Sequence, residues 1–166
     1  MFPCAGVPAG VEGSNRTEWP LDGGSLRLNI SHNWDYHFYN LGLGENVSNF
    51  NISLTHGLVN VTGRGVLCVP KLGLPADIEV KDGDLASLQV VTVGHSGSAL
   101  YNCADIVFRN SAETLGSDEC VSDPGVTSHV VGDSEHTDGH DDTGGNGGGA
   151  DSNGLRPPLP VVRPVL

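Results

Sequence analysis

Two residues stand where their chemistry does not suit their surroundings. The stretch "SLRLNISH" (25–32) alternates, with Leu26, Leu28 and Ile30 on one face and Ser25, Arg27, Asn29 and Ser31 on the other. The next residue on the apolar face is His32. Asp105 interrupts "YNCADIVF", the most apolar run of the chain, and a buried carboxylate there needs a hydrogen-bonded or cationic partner. Each has a plain structural account: a core imidazole bonded to a carbonyl, and an acid that holds a loop. Taken together, an imidazole and a carboxylate are two donors that a borderline cation such as Cu(II) accepts, one short of a firm site.

The remaining histidines read as surface residues. His37 lies among aromatics in "WDYHFYN", His56 follows a strand in "SLTHG", and His95 sits in the turn "VGHSGS". His129, His136 and His140 alternate with carboxylates and could hold Cu(II) or Zn(II) loosely, although a solvated acidic stretch explains them as well. Hydrolytic chemistry has no support: "GHSGS" is not the nucleophile elbow GxSxG, and Glu79 with Asp82 belongs to a charged turn. No glycine loop stands between a strand and a helix where it could cradle phosphate.

The elements that must position these residues read as strands. "FNISLT" places Phe50, Ile52 and Leu54 inward, and "LVNVT" does the same with Val59 and Val61. "RGVLCVP" (64–70) is another strand, while "ASLQVVTVG" (86–94) and "SALYNCADIVF" (98–108) are apolar on both faces, as central strands are. "LGLG", "PADIEVKDGD" and "GHSGS" supply turns. No segment has a helical period. Short strands at about ten-residue intervals predict an all-β, antiparallel, immunoglobulin-like sandwich. It is expected to occupy residues 1–120, with 121–166 a disordered acidic Gly/Asp-rich linker and a Pro-rich end.

Composition narrows the function. Of 166 residues 17% are charged and the net charge is −12, which argues against nucleic acid. Residues 1–117 carry 11 acids against 6 Lys/Arg, and residues 118–166 carry 9 against 2, so the acidity concentrates in the tail. Cys4, Cys68, Cys103 and Cys120 form an even set without a CxxC pair, which favours two disulfides over a zinc ribbon. Acceptor triplets for N-linked sugar begin at Asn15, Asn29, Asn46, Asn51 and Asn60, several on the wet faces of the strands just described. Both features belong to an oxidising, glycosylating compartment. Met1 is followed by neither a basic nor an apolar leader, and the expectation is that it is an internal methionine with the true beginning missing.

"PCAG", "NRTEWPLDGG", "ISH", "LCVP", "LQVV" and "SGSALYNCADIVF" followed by Cys120 occur in one order. That order resembles the fungal copper acquisition factors, proteins with a fold like that of lytic polysaccharide monooxygenases, over residues 3 to about 120. The resemblance implies a secreted or cell-surface glycoprotein, at the plasma membrane or cell wall and often tethered by a GPI anchor, that binds copper without catalysis and passes it on, possible recipients including a plasma-membrane copper importer. It implies a copper site resembling a histidine brace, with His32 as the second histidine, Asp105 as the acid, and the N-terminal histidine absent from this chain. It also implies the pairings Cys68 with Cys103 and Cys4 with Cys120. Two alternatives remain: a copper-dependent polysaccharide monooxygenase, for which Trp34 and Tyr36 would supply an aromatic face, and a structural wall glycoprotein with a vestigial site. "LRPPLPVVRPVL" is short and interrupted for an anchor signal.

Overall fold

The computed structural model describes residues 1–132, and these contain strands and no helix. The strands are β1 (Thr17–Trp19), β2 (Gly23–Ile30), β3 (Trp34–Leu43), β4 (Ile52–Ser53), β5 (Val59–Thr62), β6 (Gly65–Gly73), β7 (Leu85–Gly94), β8 (Ala99–Phe108) and β9 (Thr127–Val130). The larger sheet runs β1-β8-β7-β3-β5-β9, with β4 paired to β3, and the smaller is β2-β6. Trp19, Tyr39, Leu41, Leu88, Ile106 and Phe108 of the larger sheet pack with Ile30, Leu67 and Leu72 of the smaller in one core. The expected sandwich is therefore present. One pair departs from the antiparallel expectation, since β1 runs parallel to β8, Thr17 opposite Ile106.

The "NRTEWPLDGG" stretch is a joint between the sheets. The Arg16 guanidinium donates to the carbonyls of Gly10, Ala86 and Ile106, three acceptors that a planar fork can reach at once. Trp19 is buried against Gly24, where a Cβ would lie 2.3 Å from the indole nitrogen, so only glycine admits the ring.

The strand most visible in the structure and least visible in the sequence is β3. It pairs with β7 from Asp35 opposite Gly94 to Leu43 opposite Ala86, and with β5 from Trp34 opposite Thr62 to His37 opposite Val59. Its inward face carries Asp35, His37, Tyr39 and Leu41, all buried, while Trp34, Tyr36 and Phe38 are half-buried on the other. Hydropathy is inverted here, polar groups inside and aromatics outside, which hid the strand and made "LGLG" look like a turn although Leu41–Leu43 belong to it. β8 is central only at its end: it meets β1 through Ile106–Phe108, and Leu100, Asn102 and Ala104 are exposed. Residues beyond Cys120 do not all form a linker. β9 pairs with β5, Val59 opposite Val130.

The disulfides also differ from expectation. Cys4 bonds Cys103 and Cys68 bonds Cys120, each with 5.3 Å between Cα atoms. Cys103 lies on β8 under the first residues of the chain, where the Pro3 carbonyl accepts from Gln89 of β7. Cys68 lies on β6 of the other sheet, beside the segment after β8, where Ser122 Oγ accepts its amide. Of the expected pairs, Cys68 and Cys103 sit on different sheets.

Candidate functional site

Asp105 is a clasp. Its cross-strand partner is Ser87, whose Oγ donates to Asp105 Oδ1 at 2.6 Å, and the Gly10 amide donates to the same oxygen at 2.8 Å. Burial alone would raise its pKa. The hydrogen bonds from Ser87 and Gly10, with Arg16 nearby, outweigh that and hold the carboxyl below its ordinary range. It faces a cavity with Cys4, Ala9, Asn15 and Cys103. These bonds through Oδ1 tie β8 to β7 and to the loop ahead of β1.

His32 is elsewhere. It lies in the bend between β2 and β3 with its side chain 49% exposed, not on the inward face that alternation assigned it, because the strand ends at Ile30. The pairings Asp35 with Gly94 and Ser87 with Asp105 put the two levels seven residues apart along β7, about 24 Å at ~3.4 Å per residue. His32 and Asp105 therefore cannot share one cation.

The structure gives His32 a different acid. Its Nδ1 lies 3.2 Å from Oδ1 of Asp35, a residue 3% exposed at the start of β3. Opposite Asp35 stands Gly94, where a Cβ would lie 2.9 Å from that same Oδ1, so glycine leaves the space the carboxylate occupies. An open cleft of about 490 Å³ is lined by His32, Asn33, Trp34, Asp35, Gly94 and His95, among others. His95, expected at the surface, is exposed on its rim.

Behind Asp35 the inward face of β3 continues. His37 is 1% exposed, contrary to the surface reading, because its parity on β3 turns it into the core. Its Nε2 has no hydrogen-bond partner and lies 4.0 Å from Asp35 Oδ2, and its Nδ1 is 3.3 Å from the Tyr39 hydroxyl. Burial pushes the His37 pKa down, and Asp35 opposes the shift in part. Burial pushes the Tyr39 hydroxyl far up, so it stays protonated. Asp35 and its support were missed in the sequence. The signal was present as the D-x-H-x-Y spacing in "WDYHFY", a period of two that puts three polar groups on one face.

An imidazole beside a carboxylate at a cleft wall matches the donor types that Cu(II) takes. The pair fits two coordination positions, and among the described residues no group of three or more His, Cys, Asp or Glu converges. His56 and His129 flank a separate cavity with Tyr39 and Lys71. His136 and His140 lie outside the described residues, as do most of the expected linker and the chain end. Asn15, Asn29, Asn46 and Asn51 are exposed, and Asn60 is half-buried beside His129, their side-chain nitrogens 3.5 Å apart.

Comparison with known proteins gives the family. Residues 1–125 match the family described as copper acquisition factor BIM1-like. The chain is 36% identical over 126 residues to lytic polysaccharide monooxygenase-like protein X325 of Aspergillus fumigatus, covering 68% of this chain and 50% of that one. It is 32% identical over 145 residues to a lytic polysaccharide monooxygenase-like protein of Emericella nidulans, covering 78% of this chain and 57% of that one. A protein named X325 in Hypocrea jecorina is 34% identical over 127 residues, 68% of this chain and 54% of its own. The chain thus spans about half the length of the curated relatives it matches. No solved structure matches it. With three quarters of its length under that one match and the two-sheet architecture in place, the chain belongs to the copper acquisition factor BIM1-like family.

Proposed function

We propose that this is a non-catalytic, copper(II)-binding glycoprotein of the cell surface or extracellular space, in which His32 supplies the imidazole and Asp35, in place of Asp105, the adjacent carboxylate. The observation that carries this is the 3.2 Å approach of Asp35 Oδ1 to His32 Nδ1 at the wall of an open cleft. Copper is cargo on this reading. An anionic oxygen close to the ion favours Cu(II) over the softer Cu(I), which suits holding and passing on a divalent ion. The exposed acceptor asparagines and two disulfides support secretion and glycosylation. A plasma-membrane importer is the recipient on this reading, and a GPI anchor would belong to residues outside the described part.

The rival reading, a copper-dependent polysaccharide monooxygenase, needs a flat aromatic platform beside His32. Trp34 and Tyr36 are inclined at 68° with centroids 4.7 Å apart, an edge-to-face pair that cannot stack together on one sugar chain. Titration of the full chain with Cu(II), followed by calorimetry and electron paramagnetic resonance, tests the proposal. We expect binding that is lost in His32→Ala and retained in Asp105→Asn. Retention in His32→Ala would refute it. Oxidised oligosaccharides released from wall polysaccharide with copper and a reductant would establish the monooxygenase instead.

A further inference from the structure

We propose that the N-linked sugar on Asn15 lies in the cleft along the open edge of β8 and caps that edge, so that the modification keeps a second chain from adding a strand there. The inference rests on the glycoprotein reading above and is independent of copper.

On one side β8 pairs with β7 from Ala99 opposite Val93 to Val107 opposite Leu85, without a bulge. On the other, β1 reaches only Ile106, Val107 and Phe108. Among the described residues no strand pairs with residues 99–105 on that side. Alternate residues of such an edge turn an amide and a carbonyl outward, a template that another chain can extend. The common defences are charge, proline, a bulge or a cover. "ALYNCA" (99–104) has neither charge nor proline, it forms no bulge, and Leu100, Asn102 and Ala104 are exposed. An uncharged strand of this length without Pro or Gly is prone to pair between chains. A cover is the defence that remains.

The acceptor triplet at Asn15 is turned toward this edge. An open cleft of about 370 Å³ is lined by Ala9, Asn15, Thr17, Asn102 and Ala104, among others, so both ends of the triplet and the edge share it. The residue between them is fixed the other way: the Arg16 guanidinium donates to the carbonyls of Gly10, Ala86 and Ile106. Asn15 and Thr17 are left exposed. Thr17 stands opposite Ile106 in the parallel pair, and two residues back along both strands puts Asn15 level with Ala104, just past the point where β1 stops pairing. A sugar on Asn15 therefore starts where the chain's own cover ends. Its first unit is an N-acetylglucosamine, whose acetamido group and hydroxyls can donate to and accept from open backbone groups, and its bulk excludes another strand.

The test uses the full chain secreted from a glycosylating yeast behind a cleavable leader. Glycopeptide mass spectrometry should find sugar on Asn15, and nuclear Overhauser contacts should join its first N-acetyl group to Asn102 or Ala104. Asn15→Gln removes the sugar, and Thr17→Ala removes it while keeping the asparagine. In both, the amides of residues 99–104 that face away from β7 should exchange roughly two- to tenfold faster, the range set by the net worth of one hydrogen bond. Both variants should also self-associate in sedimentation at concentrations where the glycosylated chain does not. Asn51→Gln, which removes a sugar elsewhere, should change neither reading. Sugar on other asparagines but not on Asn15 overturns the cap and leaves the glycoprotein reading standing, whereas sugar on none of the five removes both. With Asn15 occupied, a sugar that makes no contact with β8 overturns the cap whether or not the variants fold. So do folded variants with unchanged exchange or unchanged association.

Discussion

A single oxygen of Asp105 holds two donors. Oδ1 accepts from Ser87, which is fully buried, and from the amide of Gly10. In Asp105→Ala both donors lose their acceptor, and we expect a loss of about 1–3 kcal/mol in urea unfolding with unchanged Cu(II) affinity. The pH dependence follows from the same residues. Asp105 is depressed in the folded state, so its contribution is complete above the unfolded value near 3.8 and disappears as pH falls through the folded one. His37 is also depressed, but as a base: the unfolded chain takes up a proton below about 6.5 that the buried ring resists. Both effects weaken the fold in acid. The urea midpoint should begin to fall below pH ~6.5 and fall again below ~4, and Asp105→Asn should remove only the second step. The sequence singled out His32 and Asp105 because a histidine and an acid in apolar runs are conspicuous. It could not show that pairing across β7 holds them far apart, since that distance is set by register.

At the level of elements, strands whose hydropathy follows their burial were readable. β2, β5, β6 and β7 appear where alternation or continuous apolar character placed them, with Leu28 and Ile30 turned inward and Asn29 exposed. β4 forms over only two residues of the expected "FNISLT" strand, β3 reverses the rule, β1 is too short to carry a period, and the β9 pattern "TSHV" becomes a strand only through its pairing with β5. The hidden strand is the one that builds the candidate site. Gly94→Ala tests its coupling to β7: the added Cβ must displace Asp35 Oδ1, so Cu(II) affinity should fall several-fold while circular dichroism stays native. Gly24→Ala acts on the sheet joint, pressing a methyl group into Trp19, and should cost about 1–3 kcal/mol in the unfolding midpoint with no effect on copper.

For the molecule as a whole, the cysteines were correctly read as two disulfides, but their pairing depended on Cys68 and Cys103 lying on different sheets. Loop closure over the 99-residue separation of Cys4 and Cys103 corresponds to about 4–5 kcal/mol, and over the 52-residue separation of Cys68 and Cys120 to about 4 kcal/mol. Reduction should therefore lower the melting temperature markedly, and Cys4→Ser with Cys103→Ser should account for roughly half of the loss. The two links also interleave along the chain, Cys68 falling inside the first and Cys103 inside the second. A load applied to the two ends of this part of the chain would then bypass most of it. Tension passes from Cys4 straight to Cys103 and on to Cys120, and within the crosslinked region only the short stretch between those last two can pay out, besides the segment after Cys120 that carries β9. Pulled as a tether, the oxidised domain should yield a small fraction of its contour length before a covalent bond resists, and a reductant should release the rest.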